Sequence, residues 1–290
     1  MPLDRPVVLG IVNVTPDSFS DGGDFFLPAD ALAHAEQLVA AGADVLDVGG
    51  ESTRPQGASA VPAAEELRRV LPVVRALRER FPALPISVDT VKADVAAAAI
   101  DAGASIVNDV SGLRLDPGIG DVCAASGAGL ILMHSRGTVR DMATYAHAEY
   151  GSDVTGAVVS ELAAQVATAR SAGVDPSAIV LDPGVGFSKR TEHSLTVLAE
   201  LPRIVALGYP VLVGVSRKRF IGEITGVRVA ADRVLGTVGA SVAALARGAR
   251  LFRVHDVRPA REGLDAAWAV LSRVPELAAG PRGAAPGGSR

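Results

Sequence analysis

The sequence contains little cysteine, few aromatic residues and no strong excess of either charge. Its single cysteine, Cys123, excludes an intrachain disulfide framework and a thiolate zinc cluster, and its small-residue helical surroundings predict a buried apolar role. Seven Phe, three Tyr and one Trp are too few for an aromatic core, so Val, Leu, Ile and Ala must fill it. Such a core is typical of layered α/β packing rather than of an aromatic β-sandwich.

Net charge and long apolar runs are also scarce. The 28 basic and 32 acidic residues give a net charge of −4, which provides no general attraction for nucleic acid or an anionic membrane. The sequence has no run of about 18 apolar residues and no secretory signal pattern, so we expect a cytoplasmic protein without a membrane span. GVGF at 184–187 lacks the spacing of a dinucleotide-binding loop, and the basic triplet 217–219 lacks the interleaved aromatics of a nucleic-acid site.

The sequence does contain a regular alternation of short Val/Ile/Leu runs and amphipathic, Ala-rich segments. The runs predict buried parallel strands at 7–14, 44–50, 85–90, 105–110, 129–134, 178–183, 210–216 and 250–257. The segments predict helices at 29–41, 63–80, 92–101, 118–126, 152–172, 192–200, 231–246 and 258–271, with Pro72 expected to kink or divide the second. Eight βα units indicate a single (β/α)₈ barrel over 1–273, although counting alone leaves an open doubly wound sheet as an alternative. The Gly-, Ala- and Pro-rich residues 274–290 are expected to form a flexible tail.

Polar side chains recur where the strands end, which is where a (β/α)₈ barrel carries its chemistry. A single such residue can be a helix cap, and Asp109 and Asp256 keep that interpretation, but a whole set of polar strand ends is not explained in this way. Asp89, Asn108 and Asp182 could bind a flat, nitrogen-rich ring through paired hydrogen bonds. Four further residues could form a positively charged region for phosphate or carboxylate groups: Arg54, Lys218, Arg253 and His255. The side-chain oxygen of Asn13 could be a ligand for Mg²⁺.

Two Gly- and Pro-rich loops follow the first two strands. Residues 13–23 carry Phe19, and residues 49–61 carry Arg54. Such loops can close over a site, but composition alone favours two surface connections.

These segments, in this order, resemble the dihydropteroate synthase family of folate-pathway enzymes. The matching stretches are GIVNVTPDSFSDGG (10–23), DVLDVGGESTRPQGA (44–58), ISVDT (86–90), IVNDVSGL (106–113), LMH (132–134), LDPGVGFSK (181–189), VLVGVSRKRFIGEITG (211–226) and FRVHDV (252–257). The resemblance covers about residues 7–270 and implies a (β/α)₈ barrel transferase. Its expected reaction joins 6-hydroxymethyl-7,8-dihydropterin diphosphate to 4-aminobenzoate, which gives 7,8-dihydropteroate and diphosphate. It also implies inhibition by sulfonamides and a homodimer formed through the last helices.

The resemblance also assigns residues to each part of the site. It places Asp89, Asn108, Asp182 and Lys218 around the pterin, with Met133, Ile11 and Val110. It places Asn13, Arg253 and His255 at the diphosphate and Mg²⁺, and it places Thr53, Arg54, Pro55, Phe187, Ser216 and Lys218 around the aminobenzoate. Phe19 and Asp21 enter with the first loop. The catalytic residues implied are Asp89, Asp182, Lys218, Arg253 and His255.

Two departures from the family pattern concern the loops rather than the chemistry. TRPQGA replaces the usual TRPGA, so Gln56 lengthens the second loop, and Glu192-His193-Ser194 replaces an EHN-like triplet. We expect His193 to be structural at the start of a helix, and His34 to be structural or exposed. We expect His147 to lie in a loop, and His134 to have a structural role or to lie behind the site rather than in it.

Three other functions use a similar barrel. A pterin-dependent methyltransferase needs neither the STRP loop nor the SRK motif, and a non-catalytic paralogue would be expected to lose Thr53, Arg54 or Lys218. A Schiff-base aldolase needs a lysine buried on a strand, whereas Lys218 follows one.

Overall fold

The computed structural model describes residues 3–15, 28–52 and 60–274. Eight parallel strands alternate with helices, as the sequence predicts. The strands are β1 (Val7–Asn13), β2 (Val45–Gly49), β3 (Ile86–Asp89), β4 (Ile106–Asp109), β5 (Gly129–Met133), β6 (Ile179–Asp182), β7 (Leu212–Val213) and β8 (Leu251–Val254).

The strands pair in the order β6-β5-β4-β3-β2-β1-β8-β7. A single parallel bridge between Leu181 and Val211 joins β6 to β7, and the Leu181 N–H donates to the carbonyl of Pro210 at 2.9 Å. These contacts close the sheet into a barrel, so the open doubly wound alternative is excluded and the predicted (β/α)₈ barrel is confirmed.

Ten α-helices surround the barrel in the described ranges. They are α1 (Pro28–Ala40), α2 (Ala63–Arg80), α3 (Ala93–Asp101), α4 (Gly118–Ser126), α5 (Val154–Ser171), α6 (Thr191–Ala199), α7 (Leu201–Val205), α8 (Arg219–Thr225), α9 (Val234–Ala246) and α10 (Val257–Leu271). None of the helices in these ranges is both long and apolar enough to cross a membrane.

The structure corrects three details of the sequence-based assignment. Helix α2 is undivided and contains Pro72, so the predicted division is wrong. The short helices α7 and α8 were not predicted, and β7 comprises two residues rather than the expected seven. Residues 275–290, which include nearly all of the predicted tail, lie outside the described ranges.

Alternation along the strands separates two layers inside the barrel. Near the N-terminal strand ends, apolar side chains form a closed cluster of Val7, Leu9, Val45, Ile131, Leu212 and Leu251. Two residues further along each strand, the inward positions are occupied largely by polar residues. The larger core, which includes Cys123 at 1% exposure, lies between strands and helices. Cys123 is therefore a buried core residue, and burial raises the pKa of its thiol to about 12.

Candidate active site

The ends of neighbouring strands bring the predicted polar residues side by side. Asp89 pairs in register with Asn108, and Met133 pairs with Asp182. Because all eight strands are parallel, these side chains meet at one rim of the barrel, the C-terminal one.

One pocket at this rim gathers the predicted residues that the structure describes, apart from Asn13. Its lining comprises Ile11, Asp89, Asn108, Val110, Met133, Asp182, Phe187, Gly214, Ser216, Lys218, Arg253 and His255. Gly214 is the one member that the sequence did not single out. Apolar side chains and a few convergent polar groups are the usual composition of a small-molecule site.

Arg253 lies at the centre of the polar wall, between two carboxylates. Its Nε donates to Oδ2 of Asp47 at 2.6 Å, and one terminal nitrogen donates to Oδ2 of Asp89 at 2.7 Å. Burial lowers the pKa of Arg253, but the two carboxylates raise it more, so the net shift is upward. Burial raises the pKa of Asp89 to about 7; Arg253 opposes this shift, and the nearby Asp47 carboxylate adds to it.

Asp182 and Lys218 form a second charged group in the pocket lining, and their opposite charges interact. Oδ1 of Asp182 accepts a hydrogen bond from the backbone N–H of Gly184 at 2.7 Å. The Lys218 ammonium donates to the carbonyl of Val185 and lies 4.4 Å from the centre of the Phe187 ring. Burial lowers the pKa of Lys218 to about 8, and the Asp182 carboxylate opposes that shift. A cation on an aromatic face makes the Lys218 side of the pocket suited to a flat, anionic aromatic ligand.

Ser216 and His255 are joined at the third part of the rim. The Ser216 hydroxyl lies 3.1 Å from the backbone nitrogen of His255, which donates to it, and 3.0 Å from Nδ1 of the same residue. The contact fixes the imidazole at the pocket edge, where His255 and Arg253 both line the pocket.

Asn13 ends β1 beside Gly49 of β2, at the same rim. Its side-chain oxygen is one hard, neutral ligand, and no group of three His, Cys, Asp or Glu in the described ranges could hold a metal. Mg²⁺ commonly combines one or two protein oxygens with substrate phosphates and water. These residues therefore fit a metal that arrives with a diphosphate, and they do not form a metal cage of protein ligands.

Five residues assigned to the site through the resemblance, and the additional loop residue Gln56, lie outside the described ranges. They are Phe19, Asp21, Thr53, Arg54, Pro55 and Gln56. Their roles, and closure of the two loops over the site, remain predictions.

The histidines and acids that we expected to be structural have structural partners. His34 lies 3.3 Å from the carbonyl of Ile11, and His147 lies 2.8 Å from Asp141. His193 accepts from the backbone N–H of Arg190 at the start of α6.

The two acids interpreted as possible helix caps contact the scaffold in other ways, since Asp109 binds a turn and the side chain of Asp256 makes no cap hydrogen bond at the start of α10. Asp109 is fully buried and accepts hydrogen bonds from the N–H groups of Ser111 and Leu113 at 2.8 and 2.6 Å. Asp256 pairs with Arg217 through two contacts of 2.6 and 2.8 Å.

Sequence reasoning missed two features of the site. Asp47 is fully buried on β2 beneath Arg253, and its inward register is implied by the alternation Val45, Asp47, Gly49. Lys189 is 1% exposed and belongs to no part of the pocket lining. Its place in LDPGVGFSK gave no hint of burial, because one of its partners, His134, lies 55 residues away in the sequence.

Together, the fold and the rim define a class of protein: a (β/α)₈ barrel enzyme that binds a nitrogen-rich ring and anionic groups at its C-terminal strand ends. A family model described as pterin binding enzyme matches residues 9–255. A dihydropteroate synthase of Synechocystis sp. is 47% identical over 253 residues, which cover 87% of this chain and 86% of the relative. The chain therefore belongs to the pterin-binding enzyme family, in the group of the dihydropteroate synthases.

Two solved structures are similar over nearly the whole chain. The dihydropteroate synthase of Xanthomonas albilineans with 4-aminobenzoic acid is 48% identical, with a TM-score of 0.86, and the match covers 93% of this chain and 94% of that one. The Yersinia pestis dihydropteroate synthase with a sulfonamide drug complex is 40% identical, with a TM-score of 0.86, over 94% of this chain and 96% of that one.

Proposed function

We propose that this enzyme condenses 6-hydroxymethyl-7,8-dihydropterin diphosphate with 4-aminobenzoate to give 7,8-dihydropteroate and diphosphate. The proposal depends on one observation: the lining of one pocket combines two carboxylates and an amide with two cations. These residues are Asp89, Asn108, Asp182, Lys218 and Arg253. Carboxylates and an amide match the donor-rich edge of a pterin, and the cations match two anionic substrates. The similarity to the dihydropteroate synthases of Synechocystis sp. and Xanthomonas albilineans supports the same reaction.

The two carboxylates have a clear task in this chemistry. The C–O bond breaks with its electron pair going to diphosphate, so positive charge develops on the methylene carbon and the pterin ring. Asp89 and Asp182 both line the pocket, where buried carboxylates stabilise such charge strongly. The aniline nitrogen then forms the C–N bond and releases a proton, which requires positioning more than a strong base.

The cationic residues act on the two anions. Arg253 and His255 face the space proposed for the diphosphate, while Lys218 and Ser216 lie where the aminobenzoate is proposed to bind against Phe187. Bound Mg²⁺ would neutralise charge on the leaving diphosphate, with Asn13 as its protein ligand. Arg54 and Thr53 are proposed to complete the aminobenzoate site, and Phe19 and Asp21 to enter with the first loop.

Sulfonamides mimic 4-aminobenzoate, so this enzyme is proposed as a sulfonamide target, as its Yersinia pestis relative suggests. We further propose a cytoplasmic homodimer. The apolar side chains of Leu235 on α9 and Val270 on α10 are 85% and 71% exposed, which supports an interface on these last helices.

The decisive experiment is a coupled assay for diphosphate release. We expect release only when the pterin diphosphate, 4-aminobenzoate and Mg²⁺ are all present, and we expect a sulfonamide to compete with 4-aminobenzoate. Lys218→Ala should lower kcat/KM at least ~100-fold, as for loss of a key electrostatic group. Release without 4-aminobenzoate, or near wild-type turnover of Lys218→Ala, would exclude the assignment.

A further inference from the structure

Lys189 is a buried amino group to which the proposed reaction assigns no task. The chain has three lysines, Lys92, Lys189 and Lys218, among its 28 basic residues. Lys218 lines the pocket, whereas Lys189 is 1% exposed and lies behind it. Burying an ammonium is costly unless every donor is bound, so its partners indicate what the burial achieves.

The three hydrogen-bond donors of the Lys189 ammonium match three acceptors. It lies 3.2 Å from the carbonyl oxygens of both Gly184 and Phe187, and 2.7 Å from Nδ1 of His134. The other ring nitrogen of His134 lies 3.0 Å from Oε2 of Glu161 on α5. Nδ1 therefore accepts from Lys189, and Nε2 donates to Glu161, which defines one neutral tautomer of His134.

The charges around this chain of contacts agree with that proton arrangement. Burial and the neighbouring Lys189 lower the pKa of His134 to about 4, so the ring is neutral. Burial opposes ionisation of Glu161, but hydrogen bonds from His134 and Arg136 lower its pKa to about 2. Burial lowers the pKa of Lys189 itself to about 7, while the carboxylate of Asp182 opposes this shift.

The two carbonyls that Lys189 binds are the first and last of one tight turn. The N–H of Phe187 donates to the carbonyl of Gly184 at 2.9 Å, which closes the turn 184–187. Gly184 and Gly186 have φ of 63° and 79°, and Ser188, just after the turn, has 49°. Glycine adopts the left-handed conformation readily, so the conformation costs little within the turn, whereas at Ser188 it costs energy that contacts around the turn must offset.

The other side of the same turn faces the pocket. Its Val185 carbonyl accepts from Lys218, and its Phe187 ring lies under the Lys218 ammonium. Lys189 therefore binds the turn on the side away from the pocket, and Lys218 contacts the turn on the pocket side. A shift of the turn would move Phe187 and Lys218 together.

We propose that Lys189 is a positioning residue that fixes the turn 184–187 and thereby sets the aminobenzoate side of the site, formed by Phe187 and Lys218. His134 and Glu161 extend this support to α5. The identity of the ligand in this inference rests on the proposed function, whereas the effect of Lys189 on the turn is independent of that function.

The effect on the turn is measurable without substrate. In Lys189→Met, which keeps the length of the side chain but removes all donors, the amide of Phe187 should exchange its hydrogen at least tenfold faster than in the wild type. Lys92→Met is the matched control, because Lys92 pairs with Glu51 and Glu66 and does not touch the turn. Unchanged exchange in Lys189→Met, or equal acceleration in both variants, would overturn the proposal.

The effect on the substrates is selective. Lys189→Met should raise the KM for 4-aminobenzoate at least tenfold and leave the Kd for the pterin diphosphate within twofold. Equal losses for both substrates would contradict a role on the aminobenzoate side. A wild-type enzyme that releases no diphosphate would instead exclude the proposed function, while the exchange result would still decide the role of Lys189 in the turn.

A second variant covers the case in which Lys189→Met does not fold. The side chain of Glu161 is 36% exposed, so Glu161→Ala removes the far support without opening the core. We expect the same selectivity for 4-aminobenzoate with a smaller rise in KM, about threefold. An unchanged KM in this variant would show that the support ends at Lys189 and would overturn the extension to α5.

Discussion

Asp47 and Asp89 share one guanidinium, that of Arg253, inside the barrel rim. Two negative charges and one positive charge leave the group one negative charge in excess if all three ionise. The amide of Asn108 offers a further long contact of 3.4 Å to Asp47, but Oδ1 of Asp47 has no hydrogen-bond partner. The group is therefore poised to take up a proton, and Asp89 is the member whose pKa is raised.

The first prediction concerns how Asp89 affects stability as the pH changes. Burial raises the pKa of Asp89 from 3.8 to about 7, so its ionisation opposes folding. Its favourable contribution is fully present below pH 3.8 and is lost as the pH rises through 7. The Tm of Asp89→Asn should therefore improve relative to wild type as the pH is raised from about 5 to 8, within the range set by this shift. Thermal unfolding across that range checks it, and a Tm difference independent of pH would contradict it.

Arg253 is the cation on which both carboxylates depend. Its side chain is 23% exposed, and Asp47 is fully buried. Arg253→Met should destabilise the fold by about 3 kcal/mol, because removing one partner of a buried ion pair leaves uncompensated charge. Urea unfolding measures the effect.

Arg203 provides the matched surface control for Arg253. It pairs with Asp153 and Glu200, but its side chain is 44% exposed. Arg203→Met should leave the urea midpoint close to that of the wild type. Similar losses in the two variants would show that burial is not the cause.

At the scale of single elements, the turn after β6 is constrained most tightly. Gly184 has φ of 63°, and a Cβ there would lie 1.8 Å from the carbonyl oxygen of His134. Gly184→Ala should therefore destabilise the protein by at least about 3 kcal/mol, since backbone must move to relieve the clash. Gly127, with φ of 70° at the end of α4, has nothing within 4 Å of the same position. Gly127→Ala should cost about 1 kcal/mol, the left-handed penalty alone, and equal costs by chemical unfolding would contradict the steric argument.

The elements also show what the sequence can and cannot predict. The bounds of α2 and α4 match the prediction, because both are amphipathic or Ala-rich segments with clear ends, such as the left-handed Gly127. Helices α7 and α8 span five and seven residues, too short for a periodic pattern to emerge. The residues of the pocket were predictable from polar strand ends. The support behind Lys189 was not, because His134 lies 55 residues from Lys189 and Glu161 lies 27 residues from His134, and only the fold brings them together.

For the whole molecule, barrel closure explains how a chain of net charge −4 builds a cationic site. Arg253 contacts Asp47 across 206 residues of sequence, and Lys218 meets Val185 across 33. The parallel strands bring these groups to one rim regardless of the overall charge. The charge that matters is therefore local, which is why composition excluded general anion binding without excluding anionic substrates.

The last prediction concerns the assembly. Leu235, at the start of α9, is 85% exposed, and α9 packs on α10, where Val270 is 71% exposed. Because the resemblance implies a dimer through these last helices, we expect a second copy of the chain to cover both side chains. Leu235→Asp should convert the proposed dimer into monomers in sedimentation velocity. Leu115→Asp, at a 38% exposed leucine on the segment between β4 and α4, should leave the dimer intact. A monomeric wild type, or a Leu235→Asp variant that still dimerises, would exclude this interface.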